Sequence, residues 1–209
     1  MIYFANPSTP AIRAHITAGR LGCINTPRQG NQLHNHIVWC ADNGCFNDAQ
    51  FNENHWFTWL QKHANKASTC VFATAPDVKG DAAATFTRST PWMPRIRNLG
   101  YPTAYVAQDG IQHTAIPWNE FDALFIGGTT AFKLGPQARQ ISTEARRRGK
   151  WLHVGRVSSL KRFRYCDEII HADSCDGTFL TFGPNKRLPE LLGWLDAAHQ
   201  RPAFDLEIT

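Results

Sequence analysis

The stretch that decides the fold runs from residue 123 to residue 154. It reads ALFIGG at 123–128, a long helix-like segment at 131–148, and WLHV at 151–154. Two short apolar runs separated by a polar segment of helix length are typical of parallel strands joined by a helix. The alternation continues in both directions along the chain. Further apolar runs of strand length lie at residues 2–5, 21–25, 37–41, 70–74, 103–107 and 168–172.

Helix-like segments fill most of the gaps between these runs. Outside the central unit they lie at residues 9–18, 53–64, 82–99, 160–165 and 188–199. Eight strands that alternate with helices predict a compact (β/α)8 TIM barrel, with a doubly wound open sheet as the alternative. The glycine-rich phosphate signatures that often mark the open sheet are absent from the sequence. No repeat or linker divides the chain, so we expect residues 1–209 to form one domain.

The composition limits the class of protein. Of the 209 residues, 43% are hydrophobic and 19% are charged, which is enough for a full core and too little charge for a disordered chain. Apolar runs stay short of the roughly 18–20 residues of a membrane span, and the N-terminus has no signal-peptide pattern. We therefore expect a cytoplasmic protein without a membrane partner. Its six cysteines include no Cys-x-x-Cys pair, so they are expected to be buried thiols, and neither a metal site nor a cofactor is expected.

Positive charge is concentrated in one segment. The whole chain carries +5, but residues 129–165 hold ten lysines and arginines against one acid and carry +9. A basic surface of this density is typical of proteins that bind a polyanion, and nucleic acid is the first candidate. The predicted backbone contacts are Arg146, Arg147, Arg148, Arg156, Lys161, Arg162 and Arg164.

Polar residues follow nearly every predicted strand. In a parallel barrel the active site lies at the carboxyl ends of the strands, so these residues are expected to converge on one mouth. Several carboxylates in one mouth repel each other, which makes a purely structural role less favourable. The residues at these ends include Asp42, Asn43, Asp77, Gln108, Gly127, Gly128, Arg156, Asp173 and Asp176.

Such a mouth suits a guanine-like base. The N1–H and exocyclic amine of guanine need acceptors, which a carboxylate supplies, and its O6 needs a donor, which a Gln amide or a Gly N–H supplies. A further carboxylate is suited to attack a sugar C1′, as in retaining glycosyl transfer. Chemistry on a base within a polymer also requires a deep pocket beside a basic surface.

Four segments together resemble one family. DNGCFN at 42–47 is similar to the Asp-Ser-Gly-Gly-Phe-Gln motif of the tRNA-guanine and archaeosine transglycosylases. YVAQDG at 105–110 resembles their Val-Gln-Gly-Gly stretch, and FIGG at 125–128 their Gly-Gly-Leu segment. ADSCD at 172–176 resembles their nucleophile segment, Val-Asp-x-Phe-Asp. The resemblance covers roughly residues 39–182, and it is strongest to the short phage-type enzymes that insert 7-deazaguanine bases into DNA.

The resemblance implies a role for each matched carboxylate. Asp176 would be the nucleophile that forms a covalent link to deoxyribose C1′, and Asp42 would be the acid/base group. Asp77 would bind the N1–H and amine edge of the base. Asp173 also lies near the predicted strand end, so it is an alternative nucleophile or an orienting partner; the motif spacing favours Asp176.

The base-binding residues follow in the same way. Gln108 and the backbone of Gly127 and Gly128 would hold O6, and Asn43 would bond to the base edge. The implied enzyme is a pentosyltransferase that replaces guanine in DNA with a free 7-deazaguanine of the preQ0 type, in a host cytoplasm if the chain is viral. The residues leave the oligomeric state open, with a homodimer among the options.

The sequence also departs from the family. The zinc-binding cysteines and histidine that follow the barrel in queuine tRNA-ribosyltransferases are missing, which favours DNA over tRNA as the partner. Asn43, Cys45 and Asn47 replace the family's Ser, Gly and Gln. Three alternatives remain open: a tRNA-guanine transglycosylase, an N-glycoside hydrolase that releases a base, and a non-catalytic nucleic-acid-binding subunit.

Overall fold

The protein is a closed barrel of eight parallel strands. The computed structural model describes residues 1–45 and 51–199. Each strand pairs with the next along the chain, and the last pairs with the first, which excludes the open sheet. The predicted TIM barrel is thus confirmed. The strands are β1 (Ile2–Ala5), β2 (Gly22–Asn25), β3 (Trp39–Ala41), β4 (Cys70–Thr74), β5 (Thr103–Ala107), β6 (Ala123–Ile126), β7 (Trp151–Val154) and β8 (Ser174–Asp176).

Helices connect most of the successive strands around the barrel, and α8 follows the last strand. They are α1 (Pro10–Thr17), α2 (Glu53–Lys62), α3 (Ala82–Ser89), α4 (Met93–Asn98), α5 (Thr130–Leu134), α6 (Pro136–Arg147), α7 (Leu160–Tyr165) and α8 (Pro184–His199). Several begin at a side chain that accepts a bond from the first turn, as Asp81 does from the N–H of Ala84. Among the described helices, none is long and apolar enough to cross a membrane.

Two predicted helices are each divided in two. The segment 82–99 forms α3 and α4, and the segment 131–148 forms α5 and α6. Pro136 occupies the first position of α6, where its missing N–H costs nothing, whereas inside a continuous helix it would remove a hydrogen bond. Pro94 likewise lies in the first turn of α4.

The predicted strand at 168–172 is wrong. Residues Cys166–Ile170 form a wide helical turn that continues α7, and the chain leaves it at His171, whose φ is 54°. Cys166 and Ile170 are buried while Ile169 is 50% exposed. Buried residues four positions apart are typical of a helix, so the apolar content of residues 168–172 was not evidence for a strand. The eighth strand lies further along the chain, at Ser174–Asp176, and pairs with β1 and β7.

The side chains of each strand alternate between the barrel interior and the helical layer. Inside the barrel, Phe4, Phe72 and Phe125 surround His153, with the ring centroids of Phe125 and His153 4.4 Å apart. The larger part of the core lies between strands and helices and includes Trp39. All six cysteines are buried and free, as the sequence predicts.

Asp173 lies at the amino end of the barrel, not at the mouth where the predicted site residues meet. Its Oδ2 accepts a hydrogen bond from the N–H of Leu152 at 2.7 Å, and its carbonyl accepts one from the N–H of Ile2 at 2.8 Å. It therefore fixes the starts of β1, β7 and β8. Asp173 cannot orient Asp176 directly, because the two lie at opposite ends of β8.

We expect Asp173→Ala to lower the free energy of unfolding by about 1–2 kcal/mol, because the buried N–H of Leu152 loses its acceptor. Asp173→Asn keeps an acceptor oxygen and should recover most of the loss. Urea unfolding of the three proteins measures both effects. Equal destabilisation by the two substitutions would show that Asp173 stabilises the fold through its charge and not through the hydrogen bond that it accepts.

Candidate active site at the carboxyl ends of the strands

A cavity of about 160 Å³ opens at the carboxyl ends of the strands. Roughly 150 Å³ is enough to hold one benzene ring, so this cavity accommodates a small ring system. It brings together the predicted base-binding and catalytic residues, and it adds Thr74, Lys79 and Lys133, which the sequence did not indicate. The predicted residues that line it are Asp42, Asn43, Asp77, Gln108, Gly127, Gly128, Arg156 and Asp176.

Asp77 is held between two amides. Asn43 donates to Asp77 Oδ1 at 2.8 Å, and Gln108 donates to Asp77 Oδ2 at 2.6 Å. Burial raises the pKa of the Asp77 carboxyl, and the bonds from Asn43 and Gln108 oppose that shift. Each carboxylate oxygen accepts about two hydrogen bonds, so Asp77 keeps capacity for donors from a ligand.

The two amides are themselves fixed by the backbone. The oxygen of Asn43 accepts from the N–H of Cys45 at 2.8 Å, and that of Gln108 accepts from the N–H of Gly80 at 2.9 Å. Gln108 therefore presents its nitrogen to Asp77 and its oxygen to the chain. One N–H of this amide orients Asp77. The expectation that Gln108 holds O6 of a base stays a prediction. The last two residues of the first family-like segment, Phe46 and Asn47, lie outside the described residues.

Asp176 receives a hydrogen bond from inside the barrel. Trp151 Nε1 contacts Ser174 Oγ at 2.8 Å, Ser174 Oγ contacts His153 Nδ1 at 2.9 Å, and His153 Nε2 contacts Asp176 Oδ1 at 3.0 Å. An indole N–H only donates and an ionised carboxylate only accepts. We therefore assign the Ser174 hydroxyl as the donor to His153, and the Nε2–H of His153 as the donor to Asp176. The sequence shows His153 only as part of the apolar run at 151–154. Its alternation with Leu152 and Val154 is the signal that places it inside the barrel.

Asp42 has a strongly raised pKa. Burial first, and then the negative charges of Asp176 and Asp77, raise its pKa from 3.8 to about 7. Hydrogen bonds from the backbone of Gly44 and Asn43 oppose the shift. Near neutral pH this carboxyl is poised between holding and releasing a proton, which is the property of a general acid or base.

Glycines form the wall opposite these acids. A Cβ at Gly127 would lie 2.7 Å from Val106 Cγ1, and one at Gly128 would lie 2.6 Å from Asp109 Oδ2. Gly128 also has a φ of 71°, which disfavours other residues. The N–H of Gly127 donates to Ala107 at 3.0 Å and so is not available to a ligand.

Two polar groups on the cavity wall are buried without a hydrogen-bond partner among the described residues. They are the hydroxyl of Thr74 and the amine of Lys133. Burial first, and then the charge of Arg156, lower the pKa of Lys133 to about 8, while Asp176 opposes the shift. Buried polar groups normally have partners, so two unmet groups in one wall indicate that the wall faces a polar ligand.

The predicted basic surface is divided between the two ends of the barrel. Arg146 donates to the carbonyl of His171, and Arg147 and Arg148 pair with Glu144. These three arginines lie at the end of α6, on the amino side of the strands. Helix α7, which carries Lys161, Arg162 and Arg164, begins at the cavity side. Because a helix that joins parallel strands returns the chain to the amino end, charges close in sequence are separated in space.

Within the described residues, no group of three or more His, Cys, Asp and Glu side chains is arranged to hold a metal ion.

No protein-family model matches this chain, and no curated protein matches it by sequence. Among solved structures it is similar to the Bacillus subtilis YkuI protein, which has an EAL domain and was solved with c-di-GMP and calcium. The identity is 15% and the TM-score 0.48, and the match covers 94% of this chain and 52% of that one. The chain thus spans about half the length of this neighbour, and a likeness at this level carries no argument about the site.

Arg156 has a φ of 65°. This value lies in the left-handed region, which is less favourable by roughly 1–2 kcal/mol for a residue that has a Cβ. We expect Arg156→Gly to be more stable than Arg156→Ala by about 1 kcal/mol, since both lose the same side chain and only glycine relieves the backbone. Thermal or urea unfolding of the pair measures the difference. An alanine variant as stable as the glycine variant would contradict this strain.

Asp42 should make stability depend on pH. Between about pH 4 and 7 the folded chain keeps a proton that the unfolded chain has released, so folding weakens as the pH rises through this range. Asp42→Asn removes this effect, so the variant should exceed the native protein in stability at pH 8, by at most about 4 kcal/mol, and should match it at pH 4. Urea unfolding at pH 4, 6 and 8 tests this. Glu190→Gln, at an exposed carboxyl of α8, controls for the loss of one charge; a difference independent of pH would contradict the assignment.

Proposed function

We propose that this protein is a pentosyltransferase that exchanges guanine in DNA for a free 7-deazaguanine base of the preQ0 type. One observation carries the proposal: Asp42, which is poised to exchange a proton near pH 7, and Asp176, which accepts from His153, share a ring-sized cavity. A pair of carboxyls in one site, one of them with a raised pKa, is the usual arrangement for glycosyl chemistry.

Asp77 supplies the recognition of the base. Asn43 and Gln108 hold its carboxylate in one orientation and leave acceptor capacity on both oxygens. The N1–H and exocyclic amine of guanine are two donors side by side, and a 7-deazaguanine retains both. A single carboxylate can therefore select the outgoing base and the incoming one.

The first half of the reaction removes guanine. The Asp176 carboxylate attacks C1′ of the deoxyribose, the bond from C1′ to N9 breaks, and its electron pair moves to the base. Asp42 donates its proton to the imidazole ring of the departing guanine, which leaves neutral. The product is a covalent ester between Asp176 and C1′, with the phosphodiester chain intact.

The second half restores an N-glycoside. The incoming base loses its N9 proton to Asp42 and attacks C1′, and the C1′–oxygen bond breaks to return the Asp176 carboxylate. Two displacements at C1′ retain the configuration. A pKa near 7 suits Asp42 to both steps, because it must donate in one half and accept in the other.

The charges at the mouth support a polyanionic substrate. Arg156 lines the cavity, and Lys161, Arg162 and Arg164 belong to α7, which begins at the cavity side of the barrel; these cations would contact phosphates next to the extruded nucleotide. Arg146, Arg147 and Arg148 lie at the opposite end and are not part of this proposal.

Release of labelled guanine from duplex DNA, with and without preQ0, tests the proposal, and a parallel tRNA sample tests the choice of polymer. We expect release from DNA only when preQ0 is present. Asp176→Asn should lower the rate by at least about 10³-fold, because no nucleophile remains, and Asp42→Asn by about 10²–10⁴-fold.

Asp122→Asn is the matched control. It removes one carboxylate at the amino end of the barrel, where Asp122 Oδ2 accepts from the N–H of Thr103, and the amide oxygen can replace that acceptor. Release without an incoming base would indicate a hydrolase, release from tRNA alone would change the substrate, and no release from either would reject the exchange reaction.

A further inference from the structure

The amine of Lys133 is used by no step of the proposed exchange. The residue lies in α5, is 6% exposed, and its Nζ has no hydrogen-bond partner among the described residues. A buried ammonium without a partner is destabilising by several kcal/mol in general, and buried lysines are almost always paired. The fold therefore buries an amine whose partner is not among the described residues.

Lys133 lies between two spaces. It lines the cavity together with Asp176, and it also lines a small cleft of about 20 Å³ beside Arg156 and Arg162. A space of this size is about that of one water molecule. Lys133 therefore borders both the cavity that holds Asp176 and the space next to the two arginines.

The charges around the amine are mostly positive. Arg156 and Arg162 both lower the pKa of Lys133, and Asp176 and the Cys166 thiol oppose them. Three cations thus face one carboxylate at this corner of the mouth. Arginine and lysine in such a cluster are suited to a phosphate group, which offers several acceptor oxygens and a full negative charge.

The backbone brings this corner close to the nucleophile. A Cβ at Gly155 would lie 2.6 Å from Phe125 and 3.3 Å from Asp176 Oδ1, so the chain passes directly beside the carboxylate. Arg156 follows in its left-handed conformation. A nucleotide with its C1′ at Asp176 therefore has a phosphate within reach of the cluster.

We propose that Lys133, with Arg156 and Arg162, binds the phosphate group that flanks the exchanged nucleotide. This assignment rests on the proposed base exchange and specifies its substrate class: a nucleotide within a phosphodiester strand and not a free nucleoside. The phosphate supplies the missing partner of Lys133 and holds C1′ against Asp176.

The first test needs no catalysis. Binding of inorganic phosphate to the full chain in chloride buffer is measured by calorimetry for the native protein, Lys133→Met, Lys133→Arg and Lys150→Met. Lys150 is the matched control, because its amine donates to Phe121 at the amino end of the barrel. We expect Lys133→Met to bind about 10- to 100-fold more weakly, Lys133→Arg to keep most of the affinity, and Lys150→Met to bind like the native protein. Equal binding by all four proteins would overturn the proposal.

The second test asks whether the phosphate is that of the target nucleotide. Two short single-stranded DNAs with one guanosine carry an uncharged methylphosphonate at the 5′ or the 3′ flanking position. For the native protein, one of the two modified strands should bind about 10- to 100-fold more weakly than the unmodified strand. For Lys133→Met, that modified strand and the unmodified strand should bind equally well. An equal loss in both proteins, or no loss at either position, would overturn the assignment.

These measurements separate the two proposals. Guanine exchange by the native protein on the unmodified strand tests the function alone. Phosphate binding that depends on Lys133 in a protein without exchange activity would reject the base exchange and keep the anion site. Exchange activity together with phosphate binding that does not depend on Lys133 would keep the base exchange and reject the anion site. Unfolding of Lys133→Met, which replaces a buried ammonium with an apolar chain, checks that the variant is folded.

Discussion

The hydrogen bond between His153 and Asp176 connects the core of the barrel to its mouth. His153 is fully buried among phenylalanine rings, so its position is set by the packing of the barrel interior. Ser174, on the same strand as Asp176, holds the other ring nitrogen. The carboxylate is therefore oriented by strands β7 and β8 and not by a loop, and its position depends on closure of the barrel between β8 and β1.

Three carboxyls in one small cavity require three different means of reducing their repulsion. Asp77 accepts from two amides, Asp176 accepts from an imidazole, and Asp42 keeps a proton near neutral pH. Each arrangement leaves a different chemical capacity: an acceptor for a base edge, a nucleophile, and an acid. This division of roles follows from the electrostatics of close carboxyls, and none of the three roles uses a metal or a cofactor.

The sequence predicted the barrel because buried parallel strands are short and apolar and are separated by helices of regular length. It also predicted Asp42, Asp77 and Asp176 at one mouth, because carboxyl ends of parallel strands converge. It misplaced the eighth strand, since the apolar run at 168–172 has a helical burial spacing that only packing reveals. It did not identify His153 as a partner of Asp176, because strand direction decides whether a histidine faces the interior. Nor could it separate the two halves of the basic segment, which depends on where each helix ends.

That separation changes how the positive charge bears on function. Charge counted along the chain suggests one broad polyanion surface, whereas the structure leaves Arg156, which follows β7, beside the cavity and places the arginines at the end of α6 at the far end of the barrel. On the proposed assignment, a smaller cluster would bind a single flanking phosphate more selectively than a broad surface would, because the charge of a buried ammonium is less screened by water. Recognition of the strand would then come from one phosphate beside the nucleophile and from the base edge at Asp77. The non-specific attraction of the remaining arginines would contribute mainly to encounter.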